Sequence, residues 1–185
     1  MFLRSIRPGA ARRLYSTARS TPEFIQTLIK SEGGGYKLEH GGLIDFPVNW
    51  GDMDVFAHVN NVKYLKWFES ARVNMFSKLA EDYKGNVEVE KFMSSEGVGP
   101  IIRSVNLAWR YPIKFPDTVT VLHKVDRIES DRFFLKGIVI SHEAQKVAAR
   151  IDECVVTVDY HKGGIKAEIP QPVRKALEDR MDGNS

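Results

Sequence analysis

Trp50-Gly51-Asp52-Met53-Asp54-Val55-Phe56-Ala57-His58-Val59-Asn60-Asn61 feeds directly into the helical stretch Val62 to Asp82, and this junction decides how the chain is read. It gathers two carboxylates, an imidazole and two amides into one short turn, ahead of a helix whose first N–H groups have no earlier carbonyl to bond. Such residues pack poorly in a core but suit a site that handles a carbonyl oxygen and a water. Downstream, Tyr64, Leu65, Phe68, Ala71, Met75, Phe76 and Leu79 recur at helical spacing, which predicts an amphipathic helix of about five or six turns. A helix with so wide an apolar face needs a sheet to cover it.

On the N-terminal side, Leu43 to Trp50 reads as a first strand interrupted by Pro47. Ahead of it, Ser20-Thr21-Pro22-Glu23 predicts a helix start with a capping hydroxyl, and Gly33-Gly34-Gly35 stops the short apolar stripe Phe24, Ile25, Leu28 and Ile29. On the C-terminal side, Tyr83 to Gly99 is polar and reads as a connection. Four stretches rich in Val, Ile, Phe and Thr then predict strands over Ile101 to Tyr111, Val119 to Ile128, Phe133 to Ser141 and Val147 to Tyr160. Their short connections favour antiparallel neighbours, and Pro172 to Arg180 closes as a short helix. One strand, one long helix and then a meander is an α+β order.

The pattern Asp52-x-Asp54-x-x-Ala57-His58-Val59-Asn60-Asn61-x-x-Tyr64-x-x-Trp67-x-Glu69-x-x-Arg72 resembles the signature of the hotdog-fold acyl-CoA thioesterases, the 4-hydroxybenzoyl-CoA thioesterase group. The likeness continues to about Leu177 through Pro116-Asp117, Val158-Asp159 and Ile169-Pro170. It implies a hotdog fold over residues 41–180, in which a curled antiparallel sheet wraps the long central helix. It also implies subunits paired as a homodimer or homotetramer with sites at their shared boundary, and hydrolysis of an acyl-CoA or acyl-carrier-protein thioester with no cofactor. Ala57 departs from the pattern, because relatives usually carry Gly there.

The resemblance makes Asp54, the second acid of the motif, the base or nucleophile; its other reading is a turn or cap residue. If the helix begins near Asn60 or Asn61, the backbone N–H groups of Asn61 and Val62 sit at its positive end and can polarise a thioester carbonyl. The side chains of Asn60 and Asn61 then serve as cap and scaffold. His58 is a supporting residue that orients Asp54, contacts the substrate or ties the loop. Asp52 shapes the turn, or raises the proton affinity of the neighbouring acid. Glu69 and Arg72 are expected to form a buried partnership beneath the site, since a helical wheel puts Arg72 inside the apolar stripe where an isolated charge is costly; direct catalysis by Glu69 is the second reading. Tyr64 and Trp67 read as core or pocket wall, and pocket depth is expected to depend on Met75, Phe76 and Phe92. No Ser or Cys of the motif resembles an activated nucleophile. His40, His58, His123, His142 and His161 lack paired ligand spacing, so no metal is expected.

Residues 1–20 carry five arginines and no acid, with several Ser, Thr and Ala, the composition of a mitochondrial transit peptide. This predicts mitochondrial delivery, with the matrix as destination. Residues 21–40 are an arm or spacer. The full chain of 185 residues has 27 Lys and Arg against 24 Asp and Glu, and setting the leader aside turns the formal charge from +3 to about −2. Nothing in that balance calls for nucleic acid. The single cysteine, Cys154, cannot form an internal disulfide, and no apolar run approaches the roughly 20 residues of a membrane span. Two other functions stay open: a non-catalytic hotdog subunit of a mitochondrial assembly, and a hydratase or dehydratase on the same fold.

Overall fold

The computed structural model describes residues 21–94 and 96–181. The leader expected at residues 1–20 lies outside them. Among the described residues four α-helices, α1 (Glu23–Ser31), α2 (Asn61–Asp82), α3 (Val87–Lys91) and α4 (Gln171–Glu178), accompany six strands, β1 (Leu43–Pro47), β2 (Val98–Trp109), β3 (Thr118–Ile128), β4 (Arg132–Ser141), β5 (Lys146–Asp159) and β6 (Ile165–Lys166). All strand pairs are antiparallel, in the order β1-β3-β4-β5-β2, with β6 paired to β5. The expected elements are present with ends shifted by a few residues. β1 stops at Pro47 because the chain turns at Trp50–Asp52 into the motif loop.

Alternation along the strands divides the sheet into two apolar faces. Val119 and Val121 of β3, Val139 of β4 and Ile151 of β5 face α2, where Tyr64, Trp67, Phe68 and Ala71 meet them; Met75, Phe76 and Leu79 continue that core towards Phe133, Leu135 and Val155. The intervening Leu122, Ile138 and Ile140 face the other way and are covered by Ile25 of α1 and by Tyr36. The sheet is therefore a middle layer, with α2 on its inner face and α1 on its outer face. The arm 21–40 is held there by a two-pronged ion pair from Arg150 to Glu32 at 2.5 Å and by Lys124 Nζ donating to the Gly34 carbonyl at 2.8 Å.

Two local expectations are corrected. The N-cap of α1 is Pro22, which offers no hydroxyl, so the predicted capping hydroxyl does not cap the helix. The polar connection Tyr83 to Gly99 contains α3, capped by Asn86 Oδ1 accepting from Val89 N–H at 3.3 Å and anchored by the buried Val89 and Phe92.

Candidate active site

The motif loop is a small hairpin stacked on the first turn of α2. Asn49 and Asp52 close the turn reciprocally: Asn49 N–H donates to Asp52 Oδ2 at 2.9 Å, and Asp52 N–H donates to the Asn49 carbonyl at 3.0 Å. Asp52 is buried, and its other oxygen meets Lys63 Nζ at 2.8 Å. Burial alone raises its proton affinity, but the bonds from Lys63 and Asn49 outweigh it and hold the carboxyl below the usual range. Its backbone carbonyl accepts from Asn60 N–H at 2.9 Å, so Asp52 fastens both ends of the loop. Of the two roles considered, the geometry gives Asp52 the shaping of the turn.

Asp54 sits at the tip. Its backbone N–H donates to the His58 carbonyl at 2.9 Å and its carbonyl accepts from Ala57 N–H at 3.1 Å. Oδ1 accepts from Phe56 N–H at 2.8 Å, while Oδ2 accepts no hydrogen bond among the described residues and lies 3.8 Å from His58 Nδ1. One oxygen thus fixes the side chain and the other stays available. His58 is half-buried, with Nδ1 3.3 Å from the Val59 carbonyl, which fits a supporting residue beside the acid. Val59 nails the loop to the body through full burial and an N–H donated to the Ile113 carbonyl at 2.8 Å. Tyr64 is 1 % exposed, and its hydroxyl accepts from Ile113 N–H at 3.1 Å, so it holds the neighbouring segment against α2 and belongs to the core, as does Trp67.

Ala57 has φ +59°, the left-handed region where a side chain costs roughly 1–2 kcal/mol. Glycine removes that strain but gives back part of it through the freer unfolded chain. Ala57→Gly is therefore expected to stabilise the protein by about 0.5 kcal/mol. A urea midpoint that rises at unchanged slope would show it, and a lower midpoint would contradict the strain.

At the helix mouth the oxyanion assignment needs one correction. Asn60 is the N-cap of α2, and its Oδ1 accepts from Val62 N–H at 3.0 Å. Val62 N–H is thus already engaged, and the free donor is Asn61 N–H, for which no hydrogen bond occurs among the described residues. Asn60 is a cap through its side chain, and the side chain of Asn61 is exposed.

Glu69 and Arg72 are also corrected: they do not form the expected pair. Glu69 binds Lys66 on the surface at 2.7 Å. That bond outweighs a small burial effect and holds the Glu69 carboxyl below its usual range. Arg72 instead reaches across to β5, where Nη1 meets Glu153 Oε1 at 2.5 Å. Glu153 is wholly buried, and its other oxygen lies 3.4 Å from Nε2 of the equally buried His123 on β3. Gly137 of β4 makes this approach possible, because a Cβ there would come within 2.9 Å of His123 Nε2 and of the Phe68 ring. Sequence reasoning missed this cluster, yet it leaves a trace: Glu153 interrupts Ala149, Ile151 and Val155, and His123 interrupts Val119, Val121 and Val125, each at an inward position of its strand.

A groove of about 310 Å³ lies beside α2 between Val62 and Arg72, lined by Leu65, Lys66 and Glu69 of the helix and by Ile102, Val105 and Glu153 of the sheet. Met75, Phe76 and Phe92, expected to set pocket depth, are sealed in the core, where Phe76 and Phe92 pack edge-on at 5.7 Å. Among the described residues no cluster of three or more His, Cys, Asp or Glu is arranged to hold a metal.

A sheet wrapped on a long helix, with an available carboxylate and an unengaged amide on one braced loop beside an apolar groove, defines a hotdog-fold thioester hydrolase. Residues 48–177 match the model of the thioesterase-like superfamily, and the chain belongs to that family. The long-chain acyl-CoA thioesterase FadM of Escherichia coli is 25 % identical over 97 residues, covering 52 % of this chain and 67 % of its own. Among solved structures, the PA2801 protein of Pseudomonas aeruginosa superposes with TM-score 0.58 at 28 % identity, over 71 % of this chain and 94 % of that one. The DHNA-CoA thioesterase of Staphylococcus aureus superposes with TM-score 0.61 over 75 % and 89 %; at 18 % identity it speaks to the fold alone.

Proposed function

We propose that the protein hydrolyses acyl-CoA thioesters to the free acid and CoA, in mitochondria, as a homo-oligomer. The observation that carries the reading is the junction of loop and helix. Asp54 Oδ2 and Asn61 N–H are both left unbonded on a loop braced by Asp52, Val59 and the Asn60 cap, where the groove opens at Val62. In this reading Asn61 N–H donates to the thioester carbonyl oxygen and holds the charge that grows there. Asp54 takes a proton from water as that water attacks the carbonyl carbon, and collapse expels the sulfur of CoA, which leaves as the thiol with that proton. If Asp54 attacks directly instead, the CoA thiolate takes its proton from solvent, and water then cleaves the acyl–Asp54 anhydride to release the acid. FadM, a relative that acts on long-chain acyl-CoA, supports the CoA ester over the acyl-carrier-protein ester.

The oligomer is supported by β2, a twelve-residue strand at the edge of the sheet with Ile101, Val105 and Trp109 exposed. A long apolar edge invites pairing, and a second copy placed there would roof the groove. The mitochondrial destination is supported by the Arg-rich, acid-free composition of residues 1–20. A reporter carrying those residues is expected in mitochondria, and its cytosolic retention would remove that part of the reading.

The direct test is to sediment the purified protein and then offer it CoA and acyl-carrier-protein esters of short, long and aromatic acids. A dimer or tetramer that releases CoA is the expected result. No turnover on any ester would overturn the reading, and faster turnover of carrier-protein esters would reassign the carrier.

A further inference from the structure

The groove has a built end. Val62, Leu65, Glu69 and Arg72 form one stripe of α2, separate from the core stripe, and the groove follows it from the helix mouth to the Arg72–Glu153 pair. Arg72 presents five N–H donors, but only one hydrogen bond from it occurs among the described residues, to Glu153. Its side chain is 14 % exposed, and it lines the groove. Behind it there is no room: Glu153 and His123 are fully buried, and Gly137 is closed in by Ile151, His123 and Phe68. An acyl chain entering at Val62 therefore runs against Leu65, Ile102 and Val105, with the mutually paired Lys66 and Glu69 alongside, and stops against guanidinium N–H groups. Because Glu153 already balances the charge of Arg72, the end calls for a neutral oxygen rather than a second carboxylate.

We propose that this groove selects acyl groups carrying a hydroxyl or keto oxygen near the far end, read by Arg72, which the buried Glu153 holds in place. The inference rests on the hydrolase reading above and names its substrate class. A plain methyl end would strip water from the unused donors of Arg72 and return no bond. The ten residue steps from Val62 to Arg72 span about 15 Å of helix. An extended chain advances roughly 1.2 Å per bond, scaled from the peptide backbone, so about twelve bonds reach the end.

The test compares kcat/KM for the CoA thioesters of dodecanoic acid, 12-hydroxydodecanoic acid, 8-hydroxyoctanoic acid and dodecanedioic acid. The 12-hydroxy ester is expected to exceed the plain dodecanoyl ester by about ten- to a hundred-fold, the worth of a hydrogen bond from a charged donor. The shorter hydroxy ester is expected to lose that advantage. Arg72→Met alone strands the buried Glu153, so the double variant Arg72→Met, Glu153→Met is measured beside it, and the 12-hydroxy to plain ratio is expected to fall to near one. A ratio near one in the parent protein, or an undiminished ratio in the double variant, would overturn the selection while leaving the hydrolase reading intact. Preference for the dicarboxylic ester would overturn the neutral oxygen, and an equal advantage for the 8-hydroxy ester would overturn the assigned length. No hydrolysis of any ester would bring down both readings.

Discussion

Asp54→Asn is expected to lower kcat by about 10²- to 10⁴-fold, the usual contribution of a positioned base, with little change in KM or melting temperature. The amide keeps an oxygen that can accept from Phe56 N–H, as Asp54 Oδ1 does at 2.8 Å, so the loop survives the change. What is lost is the second oxygen, which stands beside His58 without a hydrogen bond among the described residues. Because the fold and the groove are untouched, the loss should appear in turnover and not in ground-state binding. Steady-state release of CoA, read beside a thermal melt, separates the two outcomes. A variant that turns over at the parental rate would remove Asp54 from the chemistry.

The second large effect is on stability. Arg72→Met leaves Glu153, which has no exposed side-chain surface, without its cationic partner. Breaking a buried pair on one side costs about 3–5 kcal/mol. At roughly 2–4 °C per kcal/mol for a domain of this size, the melting temperature should fall by about 6–20 °C. Replacing Glu153 by Met as well removes the stranded charge together with its dehydration cost, so the double variant is expected to recover most of the loss. Calorimetry on the three proteins checks this, and a single variant that melts with the parent would show that the pair does not carry the interior of the groove.

How legible these features were depended on how local they are. The long helix was readable because its apolar residues repeat at helical spacing for more than five turns, and Asn61–Asp82 differs from the expected stretch by one residue. The motif loop was readable because Asp52, Asp54, His58 and the two Asn are short-range neighbours that together fit one family pattern. Which amide stayed free was not readable. Moving the N-cap by one residue changes it, and only the bond from Val62 N–H to Asn60 Oδ1 decides the matter. The partner of Arg72 was hidden for a different reason. Spacing of three along a helix suggested Glu69, whereas the actual partner lies 81 residues away and meets it only once β5 is in register with its neighbours. α3 went unread because five residues are too few for a period to show.

The helix on the outer face carries a consequence for how the catalytic body can be isolated. Family likeness begins at residue 48, but Leu122, Ile138 and Ile140 are dry only because Ile25 and Tyr36 lie over them. Trimming the polypeptide to its recognisable part would bare a greasy back on the sheet and remove β1 from its border. The smallest piece able to stand alone in water is longer than the piece that declares the ancestry.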